Sequence, residues 1–168
     1  QGTDLELAVL LAAFGPLRRG EISALDSDHI RGNTVTVEFS MVLDENKSWV
    51  IKQPKTSGGY RTIEMPSFVI ERLRQKKGQV VNLTPNQITQ QFGRRLKQLD
   101  VPHFRFHDLR HYAASIMHVI GVPDQYILQR GGWASDNVMK AVYRNVIDLE
   151  TARQNRKINE HFKQFKIM

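Results

Sequence analysis

His107 and Arg110 stand three residues apart at the head of the stretch HDLRHYAASIMHVIGVPDQYILQRGGWASDNVMKAVY, residues 107–143. Side chains at i and i+3 of a helix share a face. The imidazole exchanges protons near neutral pH, and the guanidinium is a permanent forked donor matched to phosphate oxygens. The same stretch passes through Gly131-Gly132-Trp133 and reaches Tyr143, a phenol able to attack phosphorus. Acid–base group, cation and nucleophile together suit phosphoryl transfer without a metal.

Such chemistry requires further cations, and the chain carries them. Its formal net charge is +7 and its pI about 9.9, which favours an anionic partner, nucleic acid first among them. The charge is unevenly placed. Residues 1–46 hold three Lys/Arg against eight Asp/Glu, whereas residues 47–110 hold thirteen against four. That reversal predicts one basic face. The lack of cysteine excludes disulfides and thiolate metal sites and fits an intracellular protein. No apolar run approaches the length that spans a bilayer. At 168 residues the chain is one domain's worth, large enough for a real core.

The elements that must position these groups are mostly helical. Residues 3–13 have apolar helical spacing with Thr3 or Asp4 as cap, and Gly15-Pro16 ends the run. Residues 17–25 predict a short helix, with turns at 26–28 and 31–33. The alternating, β-branched run 34–42 predicts a strand, residues 48–53 a second, and Tyr60–Met65 a third. Lys55-Thr56-Ser57-Gly58-Gly59 is expected to be the hairpin loop between the last two. Helices are predicted from Pro66, from Thr84-Pro85 through Leu99, over about 107–120, from Pro123 to about Gln129, around 138–143 and over about 148–165. Ile88, Phe92, Leu96 and Leu99 share an apolar face, and Tyr112 and Tyr126 are expected in the core. The fold class is therefore α+β, mainly helical, with a small three-stranded antiparallel sheet.

Five features in order make the chain resemble the catalytic domain of the tyrosine recombinases, the phage integrase family, over roughly residues 3–150. Arg18-Arg19-Gly20-Glu21 carries the first box's Arg-x-x-Glu, with one extra residue between Gly15 and the arginine. Lys55 precedes a strand reading Arg61-Thr62-Ile63-Glu64-Met65. The second box is His107-Asp108-Leu109-Arg110-His111. Gly131-Gly132-Trp133 stands where many relatives have Leu-Gly-His, and Tyr143 follows.

The resemblance implies site-specific cleavage and rejoining of double-stranded DNA at attachment sites through a 3′-phosphotyrosyl intermediate, with no metal and no cofactor. It implies Tyr143 as nucleophile, Arg18 and Arg110 as the phosphate clamp, His107 as proton acceptor and Lys55 as general acid. Trp133 is an N–H donor that cannot shuttle a proton. Glu21 is support for Arg18 or a first-turn acid, and Arg19 a surface or backbone-phosphate contact. It further implies a homo-oligomer on DNA, a tetramer joined through the C-terminal tail, 148–168, and action on the DNA of a bacterial cytoplasm. The chain opens at Gln1-Gly2 on the first catalytic helix, so we expect a catalytic domain without its DNA-binding partner domain, binding DNA weakly and with strong salt dependence.

Other readings use the same residues: a type IB topoisomerase-like enzyme that cuts and reseals, an integrase-type binding module without catalysis, or a metal nuclease using His107 and His111 at i and i+4. His103, His111 and His118 have ordinary packed or surface roles as their alternatives.

Overall fold

The computed structural model describes residues 3–54, 59–133 and 155–163. The expected positions of Lys55, of Tyr143 with its helix, and of most of the tail lie outside these residues.

Helix α1 (Asp4–Phe14) runs through the middle of the domain and packs against α2 (Arg19–Ser23), α3 (Ser67–Leu73), α4 (Pro85–Gln98) and α5 (Asp108–Val119). Its sequence is apolar on nearly every side, which suits a helix enclosed by others. Thr3 caps it by accepting from the Glu6 N–H at 3.2 Å, settling the choice of cap. Asp4 instead accepts from Lys76 Nζ at 2.7 Å and from the Asn82 N–H at 2.8 Å, tying the start of α1 to the chain beyond α3. Gly15 ends α1, and a Cβ there would press on Leu17 and Met65 at 2.7–2.8 Å.

The β residues divide between two sheets. Strands β1 (Ile30–Arg31), β2 (Thr34–Val37) and β5 (Arg61–Glu64) form a three-stranded antiparallel sheet in the order β1-β2-β5, with Val35 opposite Ile63 and Val37 opposite Arg61. Strands β3 (Ser40–Leu43) and β4 (Trp49–Lys52) make a separate ribbon. The alternating run 34–42 is thus two strands with different partners. Its period of two was legible; its change of partner at Glu38-Phe39 was not, because alternation specifies a face and not a neighbour. Strands β4 and β5 consequently belong to different sheets instead of pairing as the expected hairpin.

One core joins Leu7 and Leu11 of α1, Val35, Val37 and Ile63 of the sheet, Val69, Ile70 and Leu73 of α3, Ile88, Phe92 and Leu96 of α4, and Phe106. Leu99 does not join it: as the residue after α4 it is 56% exposed. Tyr112 and Tyr126 also face outward, 61% and 56% exposed. The buried face of α5 is made by Arg110 together with Ala113, Ala114 and Ser115, three small residues that let the helix approach α1 and α6 (Asp124–Gly131) closely. The tyrosines are left on the flanks, where they line a groove with Phe14, Ile116 and Met117. Residues 155–163 form a further helix, α7, exposed throughout. Among the described residues no helix is long and apolar enough to cross a membrane.

Candidate active site

The site is built on the C-terminal end of α6. The last carbonyls of a helix have no partner within it and carry its negative dipole end. Here three consecutive ones receive three guanidinium groups. Arg61 Nε donates to the Arg130 carbonyl at 2.9 Å, Arg110 Nη2 to Gly131 at 3.0 Å, and Arg18 Nη2 to Gly132 at 2.6 Å. Arginines from the residue before α2, from β5 and from α5 therefore meet at one helix terminus.

The Gly-Gly-Trp sequence explains that terminus. Gly132 takes the left-handed conformation, φ 65°, which glycine adopts without strain. Its N–H donates to Gln129 O at 3.2 Å and the Trp133 N–H to Leu128 O at 3.0 Å, the paired reversal of a Schellman end. The turn sends the Trp133 ring back over the helix, where a Cβ on Gly131 would collide with it. The ring lies over Arg110, whose guanidinium carbon is 4.8 Å from its centre, a cation–π contact.

Glu21 holds the cluster from the other side. Its Oε2 accepts from the Arg18 backbone N–H at 2.7 Å, capping the start of α2, and Oε1 accepts from Arg18 Nη1 at 2.7 Å. The two roles considered for this glutamate, support for Arg18 and a first-turn acid, are thus one arrangement. Arg61 then grips the same carboxylate with both terminal nitrogens, Nη1 to Oε1 at 3.0 Å and Nη2 to Oε2 at 2.7 Å. Arg110 Nη1 lies 3.9 Å from Oε2 and donates to the Pro16 carbonyl. Burial, the largest influence on Glu21, acts to raise its pKa. The hydrogen bonds and charges of Arg61 and Arg18 outweigh it and hold the carboxyl below the usual range.

Three guanidiniums around one carboxylate leave an excess of two positive charges. Arg110 is 1% exposed, and burial, with repulsion from Arg18, brings its pKa down to about 9 against the pull of Glu21. It remains charged at neutral pH. Its Nε has no hydrogen-bond partner among the described residues. Arg18 is the open member, its side chain 40% exposed. A guanidinium offers five N–H groups, so both arginines retain donors beyond those used among the described residues.

His107 sits at the start of α5 on the solvent side, one turn before His111, with their rings edge to face at 4.8 Å. Partial withdrawal from water, then the charges of Arg110 and His111, lower the His107 pKa to about 4, with Asp108 opposing. At pH 7 it is therefore a neutral imidazole able to accept a proton. His111 is shifted the same way, chiefly by burial. Among the described residues, no three His, Cys, Asp or Glu gather in a way that could hold a metal ion.

The structure thus brings together Arg18, Arg110, Trp133 and, at the rim, His107; Lys55 and Tyr143 lie outside the described residues. Arg19 is engaged with Thr89 Oγ1, linking α2 to α4. Arg61 carried no assigned role from sequence alone. The available signal was the alternation of β5, in which Arg61 and Ile63 point inward while Thr62 and Glu64 point outward. An arginine at an inward strand position demands a buried counter-ion.

The phage integrase family matches residues 2–150 of the chain. An integrase from Saccharopolyspora erythraea is 38% identical over 66 residues, 39% of this chain and 15% of that protein. Among solved structures, the Tn1549 transposon integrase in complex with circular intermediate DNA is similar with a TM-score of 0.71 at 16% identity, over 88% of this chain and 59% of that one. XerA recombinase gives 0.66 at 15%, over 98% and 57%. A lambda integrase dimer bound to a COC′ core site gives 0.59 at 16%, over 83% and 41%. The chain thus spans 15% of the length of the curated relative and about half that of the solved ones, and at these identities the solved structures establish the fold.

Proposed function

The chain belongs to the phage integrase family, and from that premise we propose that it is the strand-cutting domain of a site-specific DNA recombinase. The observation that carries this reading is the convergence of Arg18 and Arg110 on neighbouring carbonyls, with a surplus of positive charge and spare donors. A phosphodiester under attack gathers negative charge on its two non-bridging oxygens, and preorganised donors aimed there are usually the largest catalytic contribution.

The steps balance on this chain's own groups. The Tyr143 hydroxyl oxygen attacks phosphorus, its proton passing to neutral His107, and a Tyr–O–P bond replaces the bond to the 5′ oxygen. A phenol of pKa about 10 needs such an acceptor at pH 7. Lys55 gives the departing 5′ oxygen its proton, a role a compact ammonium fills better than a guanidinium. The 5′ hydroxyl of a second strand then attacks the phosphotyrosine, restoring the phosphodiester and freeing the tyrosine. Bond energy is retained throughout, so no nucleotide hydrolysis, metal or cofactor is required. Trp133 contributes by packing on Arg110, and its indole N–H is available as a donor.

The partner in this reading is double-stranded DNA carrying attachment sites, gripped by the basic segment 47–110. Assembly on DNA as a tetramer through residues 156–168 is the companion proposal. It is supported by α7, which presents Ile158 and Phe162 at 48% and 63% exposure. Deleting those residues from the full-length protein is expected to abolish recombination while sparing cleavage; unchanged recombination would end that proposal.

The decisive experiment uses the full-length protein on nicked attachment-site DNA in EDTA, comparing wild type with Tyr143→Phe. A covalent adduct with wild type alone is expected. An adduct persisting in the phenylalanine variant would move the nucleophile elsewhere, and DNA bound without any adduct would favour the binding-module reading.

A further inference from the structure

We propose that Arg61 is a positioning residue of this site, locking Glu21 so that Glu21 can hold Arg18 and the α6 terminus in register with Arg110. The inference rests on the strand-cutting reading above. Arg61 does not touch the phosphate: its side chain is 4% exposed, and all three of its nitrogens are already used on Glu21 and the Arg130 carbonyl.

Its geometry gives it an effect at a distance. Arg18 meets the Glu21 carboxylate plane through one guanidinium nitrogen on Oε1 and its backbone N–H on Oε2, with a side chain that is itself 40% exposed. The two parallel bonds from Arg61 fix that plane. The third bond, from Nε to Arg130 O, fixes the peptide immediately before the two carbonyls that Arg110 and Arg18 use. One buried guanidinium thus ties β5 to both halves of the phosphate clamp. Lysine cannot reproduce this: it keeps the charge but has no planar fork and no Nε donor.

The test measures single-turnover cleavage and DNA affinity of the full-length protein on nicked attachment-site DNA, for Arg61→Lys, Arg61→Gln, Arg18→Ala and the double variant Arg18→Ala/Arg61→Gln. Folding of each is checked by circular dichroism. Arg61→Gln is expected to slow cleavage about 10- to 100-fold, the usual scale for removing the support of a catalytic group, with DNA affinity within about twofold. Arg61→Lys should recover part of that loss and, being the milder change, keeps the test open should the glutamine variant fold poorly. In the Arg18→Ala background the Arg61 change should cost far less than it does alone, since groups acting as a unit are non-additive. A purely structural role would instead lower the active fraction, shift affinity with rate, or multiply with Arg18→Ala, and any of these would overturn the inference. Should wild type itself form no tyrosine adduct, the strand-cutting reading fails first; should wild type cleave and both Arg61 variants match it, this inference alone fails.

Discussion

Two helix starts in this protein carry the same local device and end in different places. At α2, Arg18 donates its backbone N–H and its guanidinium to Glu21, three residues on. At α5, Arg105 donates its backbone N–H and its guanidinium to Asp108, again three residues on. The first carboxylate is buried, the second partly exposed beneath an arginine that is 75% exposed. What separates them is tertiary: Arg61 arrives from β5 to complete Glu21, Arg110 closes from α5, and α6 supplies three carbonyls. Among the described residues nothing comparable meets Asp108. The local motif makes a helix cap, and the surroundings turn one of the two caps into a cluster of three arginines around one buried carboxylate.

The contrast can be broken most forcefully at the carboxylates. Glu21→Gln leaves Arg61 and Arg110 buried without a counter-ion, and a broken buried ion network costs about 3–5 kcal/mol. Urea denaturation is expected to show a loss of that order, against little change for Asp108→Asn, whose partner lies in solvent. Equal losses at the two positions would mean the networks are energetically alike. The Glu21 effect should also depend on pH. Because its folded pKa is depressed, its contribution is complete above the ordinary carboxylate value and is lost as pH falls through the folded one. The gap between wild type and Glu21→Gln should therefore close in acid; a gap that widens there would contradict the assignment.

Next in size is Arg110→Ala, where losing one donor to the developing charge is expected to slow cleavage about 100- to 1,000-fold. The rate of adduct formation on nicked DNA reads this directly, and a loss below tenfold would remove Arg110 from the clamp.

The smallest effect concerns what Asp108 does instead. Its carboxylate opposes the lowering of the His107 pKa. An NMR titration of the His107 C2 proton should give a midpoint near 4 in wild type, and Asp108→Asn should lower it further. The sign follows from a depressed imidazole: the neutral form is favoured in the fold, so the stability it lends is full above about 6.5 and is lost as pH falls toward 4. A midpoint near 6.5 would show that neither Arg110 nor desolvation acts on the ring.

How legible this was from sequence differs by element. Helices α1 to α6, with caps at Thr3 and Thr84, follow from local chemistry and lie close to where the spacing placed them, although α6 runs on to Gly131, past its expected end at about Gln129. The boxes around Arg18, Arg110 and Trp133 could be read as a group, and the fold unites them. What could not be read were the choices of partner. The run 34–42 changes sheets midway, and Tyr112 and Tyr126 lose the core to alanines that allow closer helix packing. Arg61 resembled one of many basic residues until β5 was seen to turn it inward. Each failure is a tertiary fact that periodicity does not encode.

The most direct test of the account sets Arg18→Ala beside Arg105→Ala in the full-length protein, measuring single-turnover cleavage of nicked attachment-site DNA. Arg18→Ala is expected to lose about two to three decades in rate while Arg105→Ala stays close to wild type. Equal losses in both, or wild-type cleavage by Arg18→Ala, would contradict it.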